Sequence, residues 1–135
     1  MRRHCKDEIM INSLEQFGRN AGKLWQILEE HGQLTKEKIQ EKTQLRSYEI
    51  EIAIGWLARE DKISFDDNQY KISLTNLTGI IGNNAGIIWK ALHKNGECNI
   101  NTLIKETSLP KHKIYEAIGW LAREDKLGFS SLQGD

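Results

Sequence analysis

Leu14, Phe17, Ala21, Leu24, Trp25 and Leu28 recur at the three-, four- and seven-residue spacing of one buried helical stripe. They predict a first helix, opened by Ser13 with Gln16 as a capping box and closed by Gly32. Gln33-Leu34 reads as a short extended piece, and Thr35 is placed to cap a brief second helix that carries Ile39 and ends near Thr43. A tight turn around Leu45 leads to a third helix reaching about Glu60. On that helix Ile50, Ala53, Ile54 and Leu57 share one side and form its core face. Lys62–Phe65 and Tyr70–Leu74 then flank the turn-forming Asp66-Asp67-Asn68-Gln69, a strand–turn–strand signal.

The whole pattern occurs twice. AIGWLAREDK spans Ala53–Lys62 and returns without a change at Ala117–Lys126, an offset of 64 residues. At that offset Gly18–Trp25 (GRNAGKLW) falls on Gly82–Trp89 (GNNAGIIW), Leu28 on Leu92, Thr43 on Thr107, Leu45 on Leu109 and Phe65 on Phe129. The second stripe is Leu77, Ile80, Ile81, Ala85, Ile88, Trp89 and Leu92, ending at Gly96; Asn99 takes the place of Thr35, and Pro110 suits the first position of the third helix. The period is too long for the common solenoids, so each copy is expected to be a small domain. The expected organisation is a tail over residues 1–12, a first module over 13–76 and a second over 77–135. Its fold class is mainly α with small β-hairpins (α+β), each copy running helix, strand, helix, helix, wing. With no linker between the copies, a fairly fixed relation between them is expected.

NAGKLW and NAGIIW, a short Thr-x-Leu turn and then IGWLARE together resemble a small bacterial and archaeal family of winged helix-turn-helix domains. The resemblance covers roughly residues 13–75 and 77–129. It implies the fold, and by analogy with winged helices at large a DNA-binding regulator. Two features depart from the family pattern. There are two modules where one is usual, and after Phe129 only Ser-Ser-Leu-Gln-Gly-Asp remains, too little for a return strand like Tyr70–Leu74. An incomplete second wing would leave a strand edge able to pair with another chain.

Charge complicates the analogy. Lys plus Arg and Asp plus Glu number 19 each, spread evenly, whereas dedicated DNA binders carry a positive excess. In a winged helix the start of the third helix enters the major groove while wings hold phosphates. Those positions are Arg46, Ser47 and Tyr48, followed by the unfavourable Glu49 and Glu51, in the first copy, and Lys111, His112, Lys113 and Tyr115, followed by Glu116, in the second. The second copy is the better nucleic-acid surface, with Asn68, Gln69 and Lys71 of the first wing as helpers. Solvated lysines at a helix start are the plain alternative for Lys111 and Lys113.

Gly55, Trp56 and Arg59, repeated as Gly119, Trp120 and Arg123, lie off the core side of the third helix. Glycine inside a helix costs about 1 kcal/mol relative to alanine, so its presence there twice requires a reason. Two stay open: the hairpin folds over this face with Trp56 filling the gap, or the face meets another module with Trp and Arg as anchors. The pairs Gly18/Gly22 and Gly82/Gly86 pose the same choice between packing within the module and a dimer seam.

Chemistry is not indicated. His4, His31, His93 and His112 are scattered without metal-ligand spacing, and neither a nucleophile motif nor a phosphate loop is present. Glu60-Asp61 and Glu124-Asp125 read as solvated. No catalytic residue, cofactor, metal or small-molecule substrate is therefore expected. Cys5 and Cys98, far apart, fit reduced thiols in a cytoplasmic protein. MRRHCKDEIMINS has no apolar run behind its basic residues, and no stretch is long enough for a membrane span. The leading expectation is a non-enzymatic regulator binding double-stranded DNA, acting as a homodimer or alone. The competing expectation is a protein-interaction scaffold of tandem winged helices that makes no direct DNA contact.

Overall fold

The computed structural model describes residues 13–95, 99–124 and 126. The first module consists of α1 (Ser13–His31), α2 (Lys36–Thr43), α3 (Ser47–Arg59), β1 (Ile63–Asp66) and β2 (Gln69–Ile72). The second begins with a π-helical turn (Thr78–Gly82) and continues as α4 (Asn83–Asn95), α5 (Ile100–Thr107) and α6 (Lys111–Arg123). Its wing positions fall outside the described residues, as do the tail and Gly96–Cys98.

Local chemistry sets the helix ends. Thr35 accepts from the Lys38 amide at 3.2 Å and Asn99 from the Thr102 amide at 2.9 Å, so the expected caps form in both modules. Gly32, at φ +84°, ends α1 in the left-handed region that its lack of Cβ permits. The helix-turn-helix corner is built alike in each copy. Thr43 and Thr107 hydroxyls donate back to the Ile39 and Leu103 carbonyls and accept from the Leu45 and Leu109 amides, while Gln44 and Ser108 adopt φ 63° and 62°. Pro110 is the residue before α6, at ψ 155°, one position earlier than expected, because an extended ψ cannot belong to the first helical turn. The Gln16 amide donates to Asn20 at 3.0 Å, one turn further on, and the Ser13 side chain lies outside what is described.

The first wing is a two-residue hairpin, with Asp67 and Asn68 at φ 53° and 63° as a type I′ turn requires. Phe65 and Tyr70 pack across it with ring centroids 4.6 Å apart, and Leu34 bridges to Tyr70 on the outer side of β2. The passage into the second module is fastened. Asn76 exchanges hydrogen bonds with the Phe65 backbone at 3.0 and 2.8 Å, and Asp61 accepts from the Thr75 amide at 2.8 Å. The expected fixed relation between the copies thus has a local cause.

The second stripe is interrupted. A wider π turn turns Ile80 out to 50 % exposure while Ile81 stays buried, correcting the expectation that both line the core. Trp89, also expected inside, is 37 % exposed and its ring lies 4.2 Å from that of His93. Each module has its own core, yet they exchange side chains: Phe17 and Ile52 pack into the second module's cluster, and Leu77 and Ile81 into the first's. Phe17 and Ile81 are equivalent at the 64-residue offset, so the exchange is reciprocal and follows a pseudo-twofold relation.

Candidate interaction face between the modules

The third helices explain that relation. Tyr48 meets Tyr115 near the helix starts, with centroids 5.3 Å apart, and Arg59 meets Glu124 at the ends, so α3 and α6 run side by side in the same direction. They cross at the two glycines. A Cβ on Gly55 would lie 2.8 Å from the Glu116 carbonyl carbon, closer still to its oxygen, and 2.9 Å from the Trp120 nitrogen. A Cβ on Gly119 would meet Ile52 and Trp56 in the same way. Backbone lies on backbone here, so no side chain can yield. Of the two readings of this face, contact with another module is the one formed, and that module is the other half of the same chain.

Trp56 and Trp120 also pack inside their own modules, against the first helix and not the hairpin. The Trp56 ring would lie 3.3 Å from a Cβ on Gly18, and the Trp120 ring 3.3 Å from one on Gly82, so these α1-type glycines admit an indole within their own module. The same two indoles also touch both cores. Gly22 and Gly86 face open space. The Gly18/Gly22 and Gly82/Gly86 pairs are therefore split in their use: one member packs inside and the other lies at the surface.

Over the far end of the helix pair, Arg59 donates to Glu124 at 2.9 Å and Arg123 to Glu60 at 2.7 Å. Each guanidinium also lies over the other module's indole, 5.7 and 5.8 Å from the centroid. This corrects the reading of Glu60 and Glu124 as solvated, since their side chains keep only 19 % and 17 % exposure; Asp125 lies outside the described residues. A helical-wheel reading missed these acids because their partners sit about a whole module away. Arg59 and Arg123 remain nearly half exposed, so Arg59→Ala should lower stability by about 1 kcal/mol or less in urea unfolding.

The expected DNA-reading positions divide sharply. Arg46, Ser47, Lys111 and His112 are exposed at the two adjacent helix starts; Lys113, Tyr48 and Gln69 are half-buried, and Asn68 and Lys71 are exposed on the wing. Tyr115 is 3 % exposed, with its ring against Tyr48. Arg46, Ser47, Tyr48, Glu51, Lys111, His112 and Tyr115 together line an open groove of about 580 Å³ between the helix starts. Glu49 satisfies the Arg46 amide at 2.8 Å, and Glu51 is buried against the Lys36 ammonium and the Ser47 hydroxyl. Neither acid therefore stands as a bare charge facing outward. Glu116 lies beneath, its carboxyl pushed up to about 7 by burial above all, with Lys113 and Lys36 pulling down and Glu51 pushing up. Burial, with the nearby Glu116 and Glu51 carboxylates, likewise raises the Tyr70 phenol.

Among the described residues no group of three or more His, Cys, Asp or Glu side chains could hold a metal ion, and no helix is long and apolar enough to cross a membrane. The family model described as "Winged helix-turn-helix domain (DUF2582)" matches residues 12–76 and again 77–135. An uncharacterized protein of Methanocaldococcus jannaschii is 43 % identical over 63 residues, covering 44 % of this chain and 90 % of that protein. That relative is thus about one module long. No solved structure matches. Two full matches, on a chain whose halves both fold as helix-turn-helix units, place it plainly: the protein belongs to the DUF2582 family of winged helix-turn-helix domains, as a tandem pair.

Proposed function

We propose that this protein is a non-catalytic, cytoplasmic interaction scaffold in which two winged helices are joined through the faces that winged-helix proteins usually offer to DNA. The observation that carries this reading is the glycine crossing of α3 and α6, which buries the side of each third helix opposite its own core. A major groove about 12 Å wide admits one helix of about 10–12 Å diameter, not two packed side by side. Base readout along either third helix would require the pair to separate. The balanced charge agrees with a protein partner.

A second reading has its own support. Arg46, Lys111 and His112 stand exposed at two adjacent helix N-termini, where backbone amides and dipoles favour anions. Phosphates of double-stranded DNA could rest there without base readout, and a regulatory role would then follow from position rather than sequence. Titration with random duplex DNA at about 50 mM salt separates the two. The scaffold reading expects no saturable binding and no change with Lys111→Glu/Lys113→Glu. Tight binding that falls steeply with salt and disappears in that double variant would establish the DNA reading instead.

A further inference from the structure

The two flanks of the helix crossing are equivalent in position and opposite in character. On the first flank, α6 delivers Glu116 beside Glu51 and Lys36 of the first module; both carboxylates are buried, at 9 % and 6 % exposure. Shifting each position by 64 residues gives Ile52, Tyr115 and Ile100, which all belong to the buried apolar cluster of the second module and are nearly inaccessible to water. One flank is Lys–Glu meeting Glu; the other is Ile–Tyr meeting Ile. The backbone contacts match, since Glu116 and Ile52 carry the two carbonyls that abut the glycines.

From this reversal of polarity we infer that positions 36, 51 and 116 and their counterparts 100, 115 and 52 form a pairing code that makes each module accept the unlike module and reject its own kind. Two second modules facing each other would each lodge Glu116 between Ile100 and Tyr115, a carboxylate against apolar side chains with Lys113 of its own helix as the cation beside it. Burying a carboxylate in a pocket whose walls are apolar is among the costlier faults an interface can hold. Two first modules would set Ile52 against the Lys36–Glu51 pair on both flanks. Because the chain holds one module of each kind, rejecting second-with-second also leaves first-with-first without a counterpart. The partner that fits each third-helix face is therefore the unlike module, from the same chain or from a second copy of it.

The full chain can test this by exchanging the code. Lys36→Ile/Glu51→Tyr/Ile52→Glu gives both modules the second module's set and should lower the thermal midpoint by about 10 °C or more. Adding Ile100→Lys/Tyr115→Glu/Glu116→Ile reverses both flanks, restores unlike pairing and should recover most of that loss. If the triple variant does not fold, the same recovery is read as the return of a cooperative transition. The code is refuted if the triple variant loses less than about 3 °C, the shift expected from about 1 kcal/mol. It is equally refuted if the six-substitution chain is no more stable than the triple.

Discussion

Gly55→Ala is expected to destabilise the protein by about 4 kcal/mol or more, although the same change in an exposed helix would stabilise it by about 1 kcal/mol. The sign reverses because the new methyl would fall inside the Glu116 carbonyl group, 2.8 Å from its carbon. Backbone cannot rotate aside as a side chain can. The helices would have to move apart, uncovering Ile52, Gly119 and both indoles. Gly119→Ala should behave alike, since its methyl would meet the Ile52 carbonyl. Gly22→Ala is the contrasting case: nothing lies within 4 Å of its Cβ position, so it should be neutral or gain up to about 1 kcal/mol. Urea unfolding of the three variants decides the matter. Equal stability of Gly55→Ala and wild type would mean that α3 and α6 do not cross as described.

The second large effect depends on pH. Glu116 titrates near 7 in the folded chain against an ordinary value of 4.5, chiefly because burial disfavours its charged form. Between those values the folded state holds a proton that the unfolded state has released. Stability from this group is therefore greatest at the acid end and falls as pH rises from about 4.5 to about 7, levelling above. The full span is worth about 3 kcal/mol. Glu116→Gln should flatten this slope and make the protein more stable than wild type at pH 8. Denaturant midpoints measured between pH 5 and pH 8 provide the check, and an unchanged slope in the variant would show that Glu116 is not the titrating group. Lys36, Glu51, Lys113 and Tyr70 all face it, so the slope should also respond to Lys36→Met, which removes a charge holding the Glu116 value down.

Such effects bear on function because the interface that the glycines and Glu116 shape covers one side of each third helix and leaves the helix starts exposed. A regulator reading bases along α3 or α6 would have to open this interface. A scaffold would keep it closed and present its outer surfaces. The exposed apolar side chains Ile80, Ile87 and Trp89 lie on that outside, on the π turn and α4.

Much of the architecture can be read along the chain. The duplicated stripe, the Thr35 and Asn99 caps, the Thr-x-Leu corner and the hairpin are each specified by residues a few positions apart, where backbone geometry and hydrogen-bond chemistry are local. The sequence also singled out Gly55, Trp56 and Arg59 and their copies as a face needing a reason. It could not choose the reason, because what a helix face touches depends on how two modules dock, and no periodicity encodes contacts 63 or 65 residues apart such as Arg123–Glu60 and Arg59–Glu124.

One signal for the docking was present but unused. Lys36, Glu51 and Ile52 differ from Ile100, Tyr115 and Glu116 in polarity, and in opposite senses, although the decamers that begin just after positions 52 and 116 are identical. Without coordinates these are three scattered substitutions between copies. Tertiary structure brings Glu116 to Lys36 and Glu51, and Ile52 into the cluster of Ile100 and Tyr115, because pseudo-twofold packing delivers position 52 or 116 into the other module. By itself, then, the sequence determined two winged-helix modules and the helix face on which something must press. Only the packing of α3 on α6 decided that this something is the other module, since a glycine permits close approach but cannot specify what approaches.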